Sequence, residues 1–131
     1  MSFTENWLQG PQSTRFYTRT YGSLPNATAV IVFLHGFAEH IGRYTAFHPK
    51  LAERRLVVFT FDQRGFGKTA LDKEGHKSPD SAYGKTCWND QIADISWAID
   101  YVKDKYPGLP VFLAGHSMVS LSPIFNEKEE C

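Results

Sequence analysis

Three apolar runs set the terms for this chain: Ala29-Val30-Ile31-Val32-Phe33-Leu34, Leu56-Val57-Val58-Phe59-Thr60-Phe61 and Val111-Phe112-Leu113-Ala114. Each is four to six residues long, β-branched or aromatic, and almost without polar alternation. Strands covered on both faces read this way, and such strands belong to parallel sheets flanked by helices. The segment before the last run supplies a helix, Trp88 to Tyr106. Trp88, Ile92, Ile95, Ile99 and Val102 recur at steps of four, three, four and three and form one stripe. Asp90 and Asp94 stand in its early turns, Lys103 and Lys105 in its last, and Pro107-Gly108 stops it. Helices between buried strands specify parallel crossovers, so the fold class is α/β.

The remaining segments fit around that frame. Arg15 to Tyr21 alternates aromatic or β-branched with polar residues and reads as a half-exposed strand, followed by a turn at Gly22–Asn26. A helix is expected from about Arg43 to Arg55, with Tyr44, Phe47 and Leu51 on one face. Thr69 to Lys85 is polar and rich in glycine, serine and charge, the composition of a long surface loop.

A length of 131 residues suits one domain with a real core. Fourteen basic and fourteen acidic side chains cancel, which gives no electrostatic case for nucleic acid or an acidic membrane surface. Cys87 and Cys131 make no disulfide framework and fit a reducing compartment. Met1 to Gly10 has no signal-peptide pattern, and no window approaches the roughly 18 apolar residues of a membrane span. The expected location is cytoplasmic, with peripheral contact to membranes or lipid droplets left open.

Sites in an α/β sheet form at the carboxyl ends of its strands. Three strand ends carry loaded turns: His35-Gly36-Phe37, Asp62-Gln63-Arg64-Gly65 and Gly115-His116-Ser117-Met118. A strand that stops at Gly-x-Ser lifts the serine hydroxyl onto a tight turn, and the small residue two before it is needed where backbone crowds backbone. The five histidines, His35, His40, His48, His76 and His116, fall at no ligand spacing supported by Cys or carboxylate partners and are expected to be loop and surface residues; no metal is expected. Asp90, Asp94 and Asp100 read as the solvated face of the helix, and Asp62 and Arg64 as loop-holding groups.

With these three motifs in order, the chain resembles the amino-terminal half of an α/β-hydrolase of the monoacylglycerol lipase and serine aminopeptidase-like (lysophospholipase-like) group. The matching residues are His35-Gly36-Phe37-Ala38-Glu39-His40 with Gly42-Arg43-Tyr44, then Asp62–Gly67, then Gly115–Met118. The resemblance implies a mostly parallel sheet with helices on both faces and serine hydrolysis of carboxylic esters, acylglycerols above all, without a cofactor. Carried over by position, Ser117 is the nucleophile. The backbone N–H groups of Phe37 and Met118 are the oxyanion donors, and Gly36, Gly115 and His116 support the two turns.

The same resemblance leaves a gap. In this fold the triad runs Ser, then Asp or Glu, then His. The fourteen residues after Ser117 contain no histidine, so the triad acid and histidine are expected to be missing from this chain and its activity with them. Residues 1–118 are read as the amino-terminal half of the hydrolase domain and 119–131 as a non-homologous tail. In frame, Val119-Ser120 is what GTAAGT, the commonest start of a eukaryotic intron, encodes, and the tail is expected to be translated intron. Val111–Ala114 would then be an exposed apolar edge that invites self-association. The alternative expectations are a related peptidase or esterase of other specificity, or a non-catalytic fragment that binds lipid or a partner.

Overall fold

The computed structural model describes residues 3–116. Five strands form one sheet: β1 (Thr4–Gln9), β2 (Arg15–Tyr21), β3 (Ala29–Leu34), β4 (Leu56–Phe61) and β5 (Val111–Gly115), in spatial order β1-β2-β4-β3-β5. β4, β3 and β5 pair in parallel, whereas β2 runs antiparallel to both neighbours, β1 and β4. The sheet is therefore α/β and mostly parallel in strand direction, with β2 alone reversed. Helices α1 (His48–Ala52), α2 (Gly67–Leu71) and α3 (Trp88–Lys105) complete the layers.

Alternate side chains of the sheet feed two cores. On one face Phe16, Val30, Val32, Leu34, Val57, Phe59 and Phe61 pack against Ala98, Val102 and Tyr106 of the α3 segment. On the other, Tyr21, Phe33 and Val58 meet Tyr44, Leu51 and Ala52. Each fully buried side chain of this size contributes about 1.5–3 kcal/mol relative to leaving it in water.

Several expectations change. β1 was not foreseen; its mostly polar, non-alternating sequence hid an edge strand in register with β2, Trp7 opposite Tyr17. β2 is buried rather than half exposed, because α3 covers its Phe16 side while Tyr17 and Tyr21 face the other layer. The single helix expected over 43–55 is a 3-10 turn, Ile41–Tyr44, followed by the five-residue α1. Pro49 lacks the N–H that would join them and sits instead in the first turn of α1. The start of the supposed loop 69–85 is helical, since Thr69 and Ala70 lie in α2 and are buried.

On α3 the buried line is Asp94, Ala98 and Val102, at steps of four, while Ile92 is exposed. Small Ala98 lets the helix close on the sheet, which rotates the contact face away from Ile92. β5, an apolar run of the buried-strand kind, has only β3 beside it among the described residues and leaves Phe112 and Leu113 exposed, the edge that truncation was expected to leave. Cys87, just before α3, is not a free thiol, unlike the reduced pair expected from composition.

Candidate functional site

Parallel pairing decides where the rim residues meet. β3 and β5 run in register to their ends, Leu34 opposite Gly115, and the His116 backbone N–H donates to the Leu34 carbonyl at 3.2 Å. The loop after β3 therefore begins beside the turn that leads into Ser117. Ser117 and Met118 themselves lie outside the described residues.

His35, the first residue of the loop after β3, is fully buried and not at the surface as expected. Its Nε2 accepts the Gln63 backbone N–H at 2.9 Å, which leaves the proton on Nδ1 to donate to the Gly36 carbonyl at 2.7 Å. Gln63 Nε2 returns a bond to the His35 carbonyl at 2.7 Å. Burial lowers the His35 pKa and favours the neutral ring that this pattern requires. The turns ending β3 and β4 are thus fastened to each other through one neutral imidazole.

From there the chain makes a tight turn, the Glu39 N–H donating to the Gly36 carbonyl at 3.1 Å, with Ala38 at φ 61°. A left-handed alanine is uncommon and stays only where its surroundings hold it. Glu39 does so. Its Oε1 accepts the Gly36 N–H at 2.7 Å and the Tyr44 hydroxyl at 2.6 Å, and Oε2 lies 3.2 Å from Arg43. The Tyr44 hydroxyl bond holds the Glu39 carboxyl below its ordinary pKa, and burial with Glu39 beside it pushes the Tyr44 phenol up to about 12. Between these fixed points the Phe37 N–H meets no acceptor among the described residues. The Phe37 side chain is 61% exposed and leans on Phe66 at 5.4 Å. Glu39 also reaches the second turn, since its Oε1 lies 3.6 Å from His116 Nδ1. Sequence reading quoted Glu39 in the motif without seeing this role; the carboxylate three residues after a glycine amide was the available signal.

Asp62 and Arg64 hold loops, as expected, but with partners the sequence did not reveal. Buried Asp62 accepts the Ile41 N–H at 2.7 Å through Oδ1 and the Lys68 N–H at 2.8 Å through Oδ2. Burial pushes its carboxyl pKa up, and those two N–H groups oppose the rise. Gly67 (φ 54°) makes room, because a Cβ there would collide with the Asp62 carboxylate. Arg64 forms a two-pronged pair with Asp94, Nε to Oδ2 and Nη2 to Oδ1, both 2.9 Å, and also donates to Thr14 Oγ1 at 2.7 Å. Asp94 is therefore a buried anchor and not part of a solvated face. A guanidinium that has lost its water needs this two-oxygen partner.

Two other histidines depart from expectation. His48 is fully buried, stacks on Tyr44 at 5.2 Å and has no hydrogen-bond partner for either ring nitrogen among the described residues. Burial lowers its pKa to about 4. His76 stacks on Trp7 at 5.5 Å, and Asp72, Glu74 and His76 bring one ligand atom each within 4.8 Å of one another. That carboxylate support was not seen in the spacing. Asp72 Oδ2 is engaged there by the His76 N–H at 2.7 Å and the Lys77 N–H at 3.3 Å, so the cluster is accounted for as a turn. Among the described residues no helix is long and apolar enough to cross a membrane.

Comparison with known proteins places this geometry. A Schizosaccharomyces pombe protein bearing the monoglyceride lipase name is 39% identical over 103 residues, covering 78% of this chain and 25% of that protein. Human monoglyceride lipase is 37% identical over 90 residues, 69% of this chain and 27% of that enzyme. The chain thus spans about a quarter of the length of these curated relatives. Among solved structures, a highly thermostable carboxyl esterase from Bacillus coagulans aligns with TM-score 0.75 and 30% identity over 93% of this chain and 38% of its own. Monoglyceride lipase from Saccharomyces cerevisiae aligns with TM-score 0.71 and 22% identity over 90% of this chain and 36% of its own, a likeness of fold. The sheet is that of an α/β-hydrolase, and its relatives are lipases and esterases. The pattern of one family, serine aminopeptidase S33, matches residues 25–121 across all three rim turns, and the chain belongs to that family of hydrolases.

Proposed function

We propose that this chain carries the nucleophile and the oxyanion loop of a serine hydrolase of lipid esters, acylglycerols above all. The observation that supports this most is the side-by-side ending of β3 and β5, with Glu39 holding the Gly36 amide and the neighbouring Phe37 N–H without an acceptor among the described residues. In this reading the Ser117 hydroxyl attacks the ester carbonyl and forms a bond to carbon as its proton leaves to a base. The resulting alkoxide is held by the N–H groups of Phe37 and Met118, then collapses with release of the alcohol. Water cleaves the acyl group from Ser117 in the second half of the cycle. Gly36, Gly115 and His116 keep the two turns in place, and no cofactor takes part. Exposed Phe37 gives a lipid ester an apolar contact at the site. Cytoplasmic location with peripheral contact to lipid goes with this substrate class.

His116 does not serve as the base for its neighbour: its exposed ring is directed to Glu39, and adjacent side chains on a sharp turn diverge. The 131 residues hold no later histidine, so on their own they are proposed not to turn over. A second reading, a non-catalytic piece that pairs with a partner chain, draws its support from exposed Phe112 and Leu113 on the β5 edge. A fluorophosphonate probe separates the two when exogenous imidazole supplies the missing base. Adduct mapped by mass spectrometry to Ser117 and lost in Ser117→Ala supports the hydrolase reading. Labelling that is absent, or that ignores Ser117→Ala, supports the pairing fragment.

A further inference from the structure

A cavity of about 280 Å³ opens on the α1 and α2 side of the sheet, away from the β5 rim, and its walls include Tyr17, Arg19, His40, Asp62, Lys68 and Leu71. Its wall holds two cations, Arg19 and Lys68, and one acid, Asp62. Arg19, half buried in the middle of β2, donates Nε to the Tyr17 hydroxyl at 3.0 Å and Nη1 to Tyr21 Oη at 3.3 Å and Thr45 Oγ1 at 3.0 Å. All three acceptors are neutral, and no carboxylate lies within ion-pair distance of it among the described residues. Glu5 reaches Arg19 only through the Tyr17 hydroxyl, which donates to Glu5 Oε2 at 2.7 Å. Lys68 Nζ lies 4.6 Å from the centre of the Tyr17 ring, with no acceptor or carboxylate among the described residues, so two unneutralised cations flank one ring.

His40 adds a donor. Its Nδ1 accepts the Gly42 N–H at 3.1 Å, which puts the proton of the neutral ring on Nε2. The one acid in the wall, Asp62, has spent both oxygens on the Ile41 and Lys68 amides. The Arg19 guanidinium stacks on the Phe3 ring at 4.2 Å but has no counter-ion among the described residues, and the group that supplies one is an anion able to accept charge-assisted hydrogen bonds. The volume exceeds one phosphate and leaves room for an apolar portion against Tyr17 and exposed Leu71.

From this arrangement we propose that the cavity binds an oxyanion head group, phosphate or carboxylate, between Arg19 and Lys68. The ligand is either a free anion or the head of an anionic lipid, and the test separates the sources. Calorimetric titration of the 131-residue chain with inorganic phosphate, at ionic strength held constant with chloride, is one arm. Flotation with vesicles of phosphatidic acid in phosphatidylcholine, against phosphatidylcholine alone, is the other. Lys68 is exposed, so Lys68→Glu leaves the core intact; it is expected to weaken binding about 10- to 100-fold, the loss of one charge-assisted hydrogen bond. Lys73→Glu, an equal charge change outside the cavity, is expected to leave binding within about twofold. Phosphate binding that follows this pattern identifies a free anion, and vesicle binding alone that follows it identifies a lipid head. Absence of binding in both arms, or equal effects of Lys68→Glu and Lys73→Glu, overturns the proposal.

Discussion

At the scale of single residues, the oxyanion loop makes a sharp prediction at Phe37. The Gly36–Glu39 turn has its positive φ at the third residue, Ala38, and proline suits the second position of such a turn. Phe37→Pro removes one of the two N–H groups proposed to face the alkoxide and leaves the turn standing. Imidazole-supported labelling of Ser117 is then expected to fall about 10²- to 10³-fold with the melting temperature little changed. A rate equal to the parent chain's would remove Phe37 from the site. His48 makes a prediction of a different kind. Its folded pKa of about 4 lies below the unfolded value of 6.5, so the unfolded chain takes up a proton first as the pH falls. Stability from this group is present above pH 6.5 and is lost on the way down to pH 4, about 2 kcal/mol of it between pH 7 and pH 5. His48→Phe, which fits the surrounding ring of Tyr21, Phe33 and Tyr44, is expected to flatten that part of the pH–stability curve; an unchanged slope would contradict it.

Among elements, α3 shows what a one-dimensional pattern holds and what it hides. Its start, stop and polarity were legible because capping charge and Pro107-Gly108 act locally. Its buried face was legible only in part: Val102 is buried and Ile95 and Ile99 pack on the core, but Asp94 is placed there by Arg64, thirty residues away in sequence and 2.9 Å away in space. β3 and β4 were read to the residue, because a continuous apolar run has one comfortable environment. β1 was missed: its mostly polar run becomes a strand only when β2 lies beside it. In the same way the rim turns were recognisable from glycines and polar residues, whereas the bonds of Glu39 and His35 that brace them exist only after folding. The Arg64–Asp94 pair carries the matching prediction. Asp94→Ala strands a buried guanidinium and is expected to cost about 3–5 kcal/mol by denaturant unfolding, while Arg64→Met with Asp94→Leu together cost less than Asp94→Ala alone. A single-variant loss under about 1 kcal/mol would show the pair to be idle.

For the whole molecule, the β5 edge is the proposed determinant of behaviour in solution. Phe112 and Leu113 are 57% and 52% exposed on a strand with one open side among the described residues, which we propose as a template for another chain. Light scattering is expected to show concentration-dependent association of the 131-residue chain, reduced by Leu113→Lys. A monomer with a sharp, reversible unfolding transition would remove that expectation. The central proposal is that Ser117, the residue after His116, is a nucleophile served by the Phe37 loop, in a chain whose own residues offer no later imidazole. The most direct test is the rate of fluorophosphonate labelling at Ser117 without and with exogenous imidazole, beside full-length human monoglyceride lipase. The account predicts silence without imidazole and slow, saturable labelling with it, abolished by Ser117→Ala. Labelling of the unaided chain at the rate of the full-length relative would contradict it.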